Sequence, residues 1–258
     1  MAPPPQSDVM RAGVGEGGEG KRTYVRAAFT AIAPRYDFLN HLLSLNIDRR
    51  WRRRAVARLG WERRPDGLYL DLCAGTLDLS LALATADGFR GRVVGADFVI
   101  PMLKQGRGKS VAVGAVGAVG AVAAVRPVGA DALELPFPDA GFDGALVGFG
   151  VRNLADLDLG LSEARRVLKP GARLVILEFT TPRFAPLRAA YLFYFRRLLP
   201  LIGRAVSKHT DAYTYLPESV LNFPDPDALS QRLVATGFTD VHYELLTGGI
   251  CAIHHGTR

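Results

Sequence analysis

Residues 68–84, LYLDLCAGTLDLSLALA, decide the fold. The first five, Leu68 to Leu72, form a short run of β-type residues, and Asp78 to Ala86 are typical of a helix. The loop between them joins a strand directly to a helix, and this is the repeating unit of a parallel sheet covered by helices. We therefore predict an α/β fold.

The same alternation continues through the following part of the chain. Three further strand-like runs, each followed by a helix-like segment, are Arg92–Phe98 with Pro101–Lys109, Phe142–Phe149 with Ala155–Leu168, and Arg173–Phe179 with Leu187–Leu199. These units predict a mostly parallel sheet with helices on both faces.

The C-terminal part departs from this pattern. A predicted helix, Asp227–Thr236, precedes two closely spaced strand candidates, Thr239–Leu246 and Gly249–His254. The connection Thr247-Gly248-Gly249 is typical of a hairpin turn. We expect an antiparallel C-terminal hairpin to close the sheet.

The remaining sequence predicts three further segments. Residues 1–20 are Pro- and Gly-rich and lack an apolar run, so we predict a disordered tail rather than an export signal. Residues 21–64 predict a basic helical N-terminal lobe, in which Asp48–Leu59 can form a helix with an aspartate at its start. Residues 65–258 form the α/β domain, and the Ala-Val-Gly repeat at 111–125 is a low-complexity insert with no predicted function.

The composition excludes several classes of protein. With 48% hydrophobic and 22% charged residues, the chain of 258 residues has the make-up of a folded globular protein. No apolar stretch reaches the roughly 18 uncharged residues of a membrane-spanning helix. The two cysteines, Cys73 and Cys251, supply neither a disulfide framework nor a zinc-type cluster. We therefore predict no metal site and expect a cytoplasmic location.

The excess positive charge is local. Residues 21–64 hold 12 basic and 3 acidic side chains, whereas the whole chain has a net charge of +7. Such a patch suits a polyanion, either nucleic acid or the anionic face of a membrane. The alternative is a basic helix whose charged face is merely solvated.

The loop DLCAGTLD, residues 71–78, argues against a ligand that binds through phosphates. A dinucleotide fingerprint requires three glycines, and the corresponding positions hold Cys73, Gly75 and Asp78. Asp78 would also bring negative charge to the helix N-terminus where a phosphate binds, and no Gly-Lys-Ser/Thr sequence follows for a P-loop. Both nucleotide-phosphate hypotheses are therefore disfavoured.

A cationic ligand with free hydroxyls removes this conflict. Asp97 ends the second predicted strand, where a carboxylate can accept hydrogen bonds from both hydroxyls of a ribose. Asp71 can face an ammonium or sulfonium group, and Thr76 offers a hydroxyl beside a helix N-terminus whose N–H groups bind a carboxylate. Together these groups predict S-adenosylmethionine, although each carboxylate could instead cap a helix or a loop.

Eight stretches of the chain resemble the demethylmenaquinone and 2-methoxy-benzoquinol C-methyltransferase family, a group of class I methyltransferases. They are APRYDFLNHLLSLNIDRRWRR, DLCAGTLDLS, GADFVIPMLKQGRGK, ADALELPFPDAGFD, FGVRNL, ARRVLKPGARLVILEF, YTYLPESVLNFP and LTGGICAIHHG. The resemblance extends from Tyr24 to the C-terminus. It implies a Rossmann-like sheet and a methyltransferase that uses S-adenosylmethionine.

The resemblance also implies cofactor contacts in and beyond the first loop. They fall on Thr76, Asp97, Asp131 and Ala132, with Asp131 meeting the adenine amino group. We also predict that Gly75, in the same loop as Thr76, contacts the cofactor. The family's loop usually reads GGTGD, whereas this chain has Ala74 and Leu77 in place of two of its glycines. A left-handed conformation at Leu77 would cost about 1 to 2 kcal/mol, enough to weaken cofactor binding or to shift the loop.

The substrate that this resemblance implies is a polyprenyl quinol. A ring carbon attacks a methyl group when a neighbouring hydroxyl is deprotonated. FGVRNL places Arg152 and Asn153 directly after the fourth strand, and the resemblance implies that both act on the substrate. Arg152 is too basic to hold a free lone pair, so we assign it to stabilising the phenolate or positioning a water, with a surface ion pair as the alternative. Tyr36 could close over the ring or could only anchor packing.

The segment Leu187–Leu201 mixes aromatic and aliphatic side chains with arginines. This mixture is typical of a helix at a membrane interface or of an apolar lid over the substrate. We expect transient peripheral contact with an anionic membrane surface. Packing in a homodimer interface or on the sheet is the alternative.

Three functions compete at this point. The first is methylation of demethylmenaquinol to menaquinol, in menaquinone or ubiquinone biosynthesis. The second is a class I methyltransferase for another small aromatic acceptor, which would leave PRYDFLN and LTGGI unexplained because they lie outside the shared cofactor domain. The third is a nucleic-acid-binding protein, which lacks RNA-type aromatic motifs. We predict the first function and no nucleic-acid partner.

Overall fold

One seven-stranded sheet organises the computed structural model, which describes residues 18–37, 44, 46–115, 125–194, 197 and 211–258. Its strands are β1 (Leu68–Leu72), β2 (Arg92–Asp97), β3 (Val125–Gly129), β4 (Phe142–Gly148), β5 (Leu168–Phe179), β6 (Thr239–Leu246) and β7 (Cys251–Thr257). Their order across the sheet is β3-β2-β1-β4-β5-β7-β6. Only the pairs that include β7 are antiparallel, which confirms the mostly parallel sheet and the C-terminal hairpin.

Helices connect these strands and cover the sheet. They are α1 (Gly18–Ile32), α2 (Asp48–Leu59), α3 (Asp78–Ala84), α4 (Ile100–Ala115), α5 (Leu157–Val167), α6 (Ala185–Phe193), α7 (Asp211–Leu221) and α8 (Pro226–Ala235). None of the helices within the described residues combines the length and apolar composition needed to cross a membrane.

Alternate residues of the central strands belong to two different hydrophobic clusters. Leu70 and Ile176 belong to a cluster that includes residues of α5 and α8. Tyr69 and Val175, one position away on the same strands, belong to a cluster that includes residues of α2 and α3. Because successive side chains of a strand point to opposite faces, the two clusters lie on opposite sides of the sheet. Helices on both faces are thus confirmed.

The N-terminal lobe packs on the sheet through α2. Its buried apolar residues Trp51, Ala55, Val56 and Leu59 follow helical spacing and form one face. Gly60 ends the helix with φ of 75°, a left-handed conformation that glycine adopts without strain. Arg53, Arg54 and Arg58 occupy exposed positions between these residues, whereas Arg52 is buried beside Asp48. Most of the positive charge of this basic segment therefore stays outside the core.

The strand order places the site. β1 lies between β2 and β4. After β1 the chain adds β2 and β3 on one side of it and then returns to add β4 and β5 on the other side, so the strand order reverses beside β1. Ligands of open α/β sheets bind in the crevice at such a reversal, outside the carboxyl ends of the strands. The loops at this edge are residues 73–77, 98–99 and 149–153.

The structure adds one strand and shifts several boundaries. β3 was not predicted, because Val125 ends the repeat and Pro127 disfavours strand formation except at an edge, which is where β3 lies. Residues 111–115 of the repeat belong to α4, and residues 116–124 lie outside the described residues. α1 begins at Gly18, so the last three residues of the predicted tail are helical. Of the predicted Leu187–Leu201 helix, the structure describes residues 187–194 and 197.

Candidate functional site

A cleft lies at the carboxyl ends of β1, β2, β3 and β4, and we call it the central cleft. It encloses about 60 Å³. Six predicted site residues line it, together with Arg22, Val25 and Phe29 of α1; the six are Tyr36, Gly75, Asp97, Asp131, Ala132 and Asn153. Residues from the N-terminal lobe and from four strand ends therefore meet in one place.

Asp97 joins two loops at the edge of the cleft. Its Oδ2 accepts a hydrogen bond from the backbone N–H of Gly75 at 2.8 Å, and Oδ1 accepts one from Val99 N–H at 2.7 Å. Burial raises the pKa of the Asp97 carboxyl to about 6, and these N–H groups limit the rise. The result is a well-oriented carboxylate in the cleft wall, suited to accepting hydrogen bonds from hydroxyls.

The loop after β1 contains the strained leucine that the sequence predicts. Leu77 has φ of 65°, and Cys73 and Gly75 are also left-handed. The Leu77 side chain is fully buried, and it fills space that two glycines leave open. A Cβ at Gly95 would lie 2.3 Å from Leu77 Cδ2, and a Cβ at Gly106 would lie 2.6 Å from its Cγ. Burying a leucine contributes about 2 kcal/mol, which offsets the backbone strain.

Asp131 carries an ion pair that reaches across the central cleft. Its Oδ1 accepts a hydrogen bond from Leu133 N–H at 2.9 Å. Its Oδ2 lies 2.6 Å from Nη2 of Arg22 on α1. The N-terminal lobe therefore covers the carboxylate that was predicted to meet the adenine amino group.

Asp37 forms a second bridge between the N-terminal lobe and the sheet domain. It accepts a hydrogen bond from Thr76 Oγ1 at 2.5 Å and pairs with Lys109 Nζ at 2.9 Å. Thr76 is buried, and it is absent from the residues that line the central cleft. The structure does not bring the predicted Thr76 contact to the cleft wall, because its hydroxyl donates to Asp37.

Asp71 also lies behind the cleft. Its Oδ2 accepts hydrogen bonds from the backbone N–H and the hydroxyl of Ser80, at 2.8 and 2.6 Å. Burial raises the pKa of the Asp71 carboxyl to about 7 despite these bonds. Asp71 holds the start of α3 against β1, and the structure does not place it in the wall where it could face a sulfonium.

A second cavity of about 610 Å³ adjoins the central cleft, and we call it the polar cavity. The two share Leu154 and Ala155 as lining residues. Polar and charged side chains of the polar cavity come from α1, the turn Val151–Asn153, the start of α5, α7 and α8; they include Lys21, Arg152, Asp156, Tyr215 and Arg232.

Arg152 is a buried cation in the wall of the polar cavity. Its Nη1 donates to Glu178 Oε1 at 2.8 Å and to the carbonyl oxygen of Phe149. Its Nε is buried and has no hydrogen-bond partner within the described part of the chain. Burial alone would lower the pKa of Arg152, but the Glu178 carboxylate more than compensates and raises it. The guanidinium thus stays charged and keeps one donor unused.

Asn153 connects the two cavities. It lines the central cleft, whereas its neighbour Arg152 lines the polar cavity. Its Oδ1 accepts a hydrogen bond from the Tyr215 hydroxyl at 2.9 Å, and its Nδ2 donates to Phe149 O at 3.3 Å. Tyr36 lines the central cleft nearby and packs against Phe29 with ring centroids 5.9 Å apart. The structure therefore brings all three predicted substrate residues to one region.

Sequence reasoning missed several residues of this region. Glu178 is the penultimate residue of β5 and lies at the same sheet edge as Asp97, so a survey of polar residues near predicted strand ends would have found it. Arg22, Asp37 and Lys21 carry no local signal, because their contacts form only when the lobe folds over the sheet. Tyr215 lies in the stretch YTYLPESVLNFP, but nothing in the sequence pairs it with Asn153.

The same assembly of loops is found in known proteins. Residues 18–258 match the profile of the ubiE/COQ5 methyltransferase family. The chain belongs to this family. The demethylmenaquinone methyltransferase of Thermus thermophilus is 50% identical over 231 residues, which are 89% of this chain and 99% of that protein. UbiE, the ubiquinone/menaquinone biosynthesis C-methyltransferase of a Geobacter species, is 44% identical over 234 residues, 91% of this chain and 96% of its own.

Solved structures share the fold of this ubiE/COQ5 methyltransferase. A SAM-dependent methyltransferase of Thermotoga maritima has a TM-score of 0.59 at 18% identity and covers 90% of this chain and 98% of its own. Phosphoethanolamine N-methyltransferase 2 of Haemonchus contortus, in complex with S-adenosyl-L-methionine, has a TM-score of 0.55 at 13% identity, over 79% of this chain and 52% of its own. These likenesses confirm the class I methyltransferase architecture.

The ubiE/COQ5 methyltransferase is an S-adenosylmethionine-dependent enzyme, and the central cleft fits that cofactor. Asp97 offers an oriented carboxylate for hydroxyl donors, and Gly75 presents bare backbone beside it. A Cβ on Gly75 would meet only Met102, at 3.5 Å, so a ligand can approach the loop closely. A carboxylate acceptor in the cleft wall suits a neutral or cationic nucleoside rather than a nucleotide phosphate.

Proposed function

We propose that this protein transfers a methyl group from S-adenosylmethionine to a ring carbon of a polyprenyl quinol in quinone biosynthesis. Demethylmenaquinol is the substrate we favour, because relatives with 50% and 43% identity are named demethylmenaquinone methyltransferases. Another relative, with 44% identity, is named for both ubiquinone and menaquinone biosynthesis, so a benzoquinol is the second candidate.

One observation carries the proposal. The adjacent residues Arg152 and Asn153 line two cavities that share a wall, so a cation for the acceptor stands next to an amide in the cofactor cleft. A transfer reaction needs donor and acceptor held side by side, with the reacting atoms about 3 Å apart. This arrangement favours an acceptor ring in the polar cavity whose reacting edge approaches Asn153.

The central cleft residues have separate tasks in holding the cofactor. Asp97 accepts hydrogen bonds from the ribose hydroxyls, and Asp131 accepts one from the adenine amino group beside Ala132. Gly75 allows close approach of the loop. Asp71 and Thr76 support this loop without touching the cofactor. Asp71 holds the start of α3, and Thr76 holds the N-terminal lobe through Asp37.

The acceptor side depends on charge. S-adenosylmethionine supplies an electrophilic methyl group when it is bound. Arg152 stabilises the negative charge that develops on the quinol oxygen, because the residue keeps its charge and lines the polar cavity. Asn153, which accepts a hydrogen bond from Tyr215, positions the quinol ring. Tyr36, packed against Phe29, covers that ring from the N-terminal lobe.

The test of this function compares reduced and oxidised acceptors. The protein with labelled S-adenosylmethionine should methylate a short-tail demethylmenaquinol only while a reductant keeps it reduced, because the oxidised ring is an electrophile. Arg152→Ala should lower kcat by about 100-fold or more with little change in KM for the cofactor, and Arg152→Lys should recover part of the loss. Equal rates on the oxidised quinone, or full kcat in Arg152→Ala, would contradict the mechanism.

A polyprenyl tail places the acceptor in a lipid bilayer. We propose that α6 and the residues on either side of it contact the membrane surface. Phe184 and Phe193 are 68% and 59% exposed. Arg183, Arg188 and Arg197 are exposed in the same segment. Apolar rings flanked by arginines suit the interface of an anionic bilayer.

Vesicle binding tests this contact. We expect the protein to sediment with vesicles that contain phosphatidylglycerol more than with pure phosphatidylcholine. Phe184→Ser with Phe193→Ser should abolish the difference, whereas Val234→Ser, which replaces an equally exposed side chain on α8, should not. Equal losses in both variants would point to general surface hydrophobicity instead.

A further inference from the structure

Lys21 is a cation that the fold holds inside the polar cavity. It lies in the first turns of α1, whose first residue is tied to the sheet domain by a hydrogen bond from Gly18 N–H to Ala155 O at 3.2 Å. Its side chain is half-buried and lines the polar cavity together with Arg152. Two side-chain nitrogens of different chemistry therefore face the same space.

The acidic groups of this cavity are already engaged elsewhere. Asp158 pairs with Arg232 at 2.7 Å, and Asp156 accepts a hydrogen bond from Leu159 N–H at 2.9 Å as the cap of α5. Glu178 pairs with Arg152 behind the cavity wall. Lys21 has no ion pair with any of the described residues.

The surroundings favour the neutral amine of Lys21. Burial lowers its pKa, and the neighbouring Arg152 guanidinium lowers it further. Another titratable group of the cavity wall, the Tyr215 hydroxyl, has a pKa that burial raises to about 12, so Tyr215 stays neutral. A neutral lysine carries a lone pair, and Arg152 does not.

We propose that Lys21 is the base that accepts the proton of the quinol hydroxyl, while Arg152 stabilises the oxygen that the proton leaves. This inference rests on the proposed function and assigns the one step for which Arg152 is unsuited. The quinol O–H bond breaks, an N–H bond forms on Lys21 Nζ, and the electron pair stays on the oxygen and conjugates into the ring. The ammonium then loses its proton to water at the exposed side of the cavity.

Substitutions at Lys21 separate a base from a mere positive charge. Lys21→Met should lower kcat for a short-tail demethylmenaquinol by about 100-fold or more, because a positioned base contributes that much, with unchanged binding of S-adenosylmethionine by calorimetry. Lys21→Arg should remain equally slow, since arginine keeps the charge but cannot accept a proton. Arg26→Ala, an exposed cation on the same helix, is the matched control and should keep full activity.

A pH profile provides a second measurement on the wild-type protein. The kcat should rise with pH through an inflection below the ordinary lysine value of about 10.4, and Lys21→Arg should lose that inflection. Addition of ethylamine should partly restore Lys21→Met. A wild-type profile with no such inflection would overturn the proposal even if the Lys21 variants failed to fold.

A third readout needs no turnover. α-Naphthol, which shares the phenolic ring and lacks the second hydroxyl of a quinol, absorbs at longer wavelength when ionised. Bound to the wild-type protein at neutral pH it should show the ionised spectrum, and bound to Lys21→Met it should show the neutral one. An identical spectrum in both would overturn the role of Lys21.

The outcomes also distinguish this inference from the function beneath it. If the wild-type protein methylates no reduced quinol, both the proposed function and the proposed role of Lys21 are wrong. If it methylates demethylmenaquinol and Lys21→Met or Lys21→Arg retains full kcat, the function stands and Lys21 is not the base.

Discussion

Arg22 and Asp131 are 109 positions apart in the sequence and join at 2.6 Å across the central cleft. The pair sits where the adenine amino group is proposed to bind, and the cleft beneath it encloses only about 60 Å³. A drug-sized ligand occupies a pocket of roughly 300 Å³ or more. Cofactor binding therefore has to open or share this ion pair.

Arg22→Ala should tighten the binding of S-adenosylmethionine. The pair is 45% exposed on the arginine side and is worth about 0.2 to 1 kcal/mol, so we expect a gain of up to about fivefold in affinity. Calorimetry at low and high salt checks this, because the difference between wild type and variant should shrink as salt screens the pair. Weaker binding by the variant would mean that Arg22 contacts the cofactor.

Asp97→Asn should weaken cofactor binding by about tenfold or more, because the ribose hydroxyls lose a charged acceptor worth about 1.5 to 3 kcal/mol. The pKa of about 6 adds a pH dependence: the carboxylate form binds, so wild-type affinity should be constant above neutrality and fall as the pH drops through about 6. Calorimetry across this range tests both points. Asp87→Asn, an exposed aspartate in the loop before β2, is the control and should change neither.

Asp71→Asn should weaken S-adenosylmethionine and S-adenosylhomocysteine by the same small factor. Asp71 holds Ser80 at the start of α3, so its loss should act on the loop and not on the charge of the ligand. The two ligands differ by the positive sulfonium, which makes their ratio a direct measure of a charge contact. A selective loss for the cationic ligand would restore the sequence-based expectation that Asp71 faces the sulfonium.

His254→Gln should make the fold less sensitive to acid. Burial lowers the pKa of His254 to about 4, and Nε2 lies 2.9 Å from Pro226 O. The folded pKa is below the unfolded one, so this contribution to stability is present above about pH 6.5 and is lost as the pH falls towards 4. Between neutrality and about pH 5 the loss is about 2 kcal/mol. Urea unfolding measures it, and exposed His242→Gln should behave as wild type.

Elements with strong local patterns were predicted to the residue. Asp48–Leu59, Leu68–Leu72 and Thr239–Leu246 appear in the structure with the predicted bounds, because the residue pattern of each segment and the signals at its ends agree there. β3 has no such agreement, since a proline sits in the middle of its five residues.

Site residues at the ends of predicted strands could be predicted from the sequence. Asp97 is the last residue of β2 and faces the cleft, whereas Asp71 is followed by Leu72 within β1 and stays inside the domain. One residue of register separates a carboxylate in the cleft wall from one that holds the start of α3, and sequence spacing does not resolve it. The bridges from Arg22 and Asp37 depend on how the lobe closes over the sheet, which local patterns do not encode.

The interlocking of Leu77 with Gly95 and Gly106 has an evolutionary consequence. A side chain at either glycine would collide with Leu77, so Gly95→Ala or Gly106→Ala alone should destabilise the protein. Glycine at position 77 would relieve the left-handed strain but leave a cavity of the kind that costs about 2 to 5 kcal/mol. The space vacated would then admit a methyl group at 95, whereas a Cβ at 106 would still lie 2.7 Å from the backbone of Thr76. Positions 77 and 95 can therefore change only in one order, with position 77 first, and a lineage that has acquired Leu77 has made Gly95 obligatory.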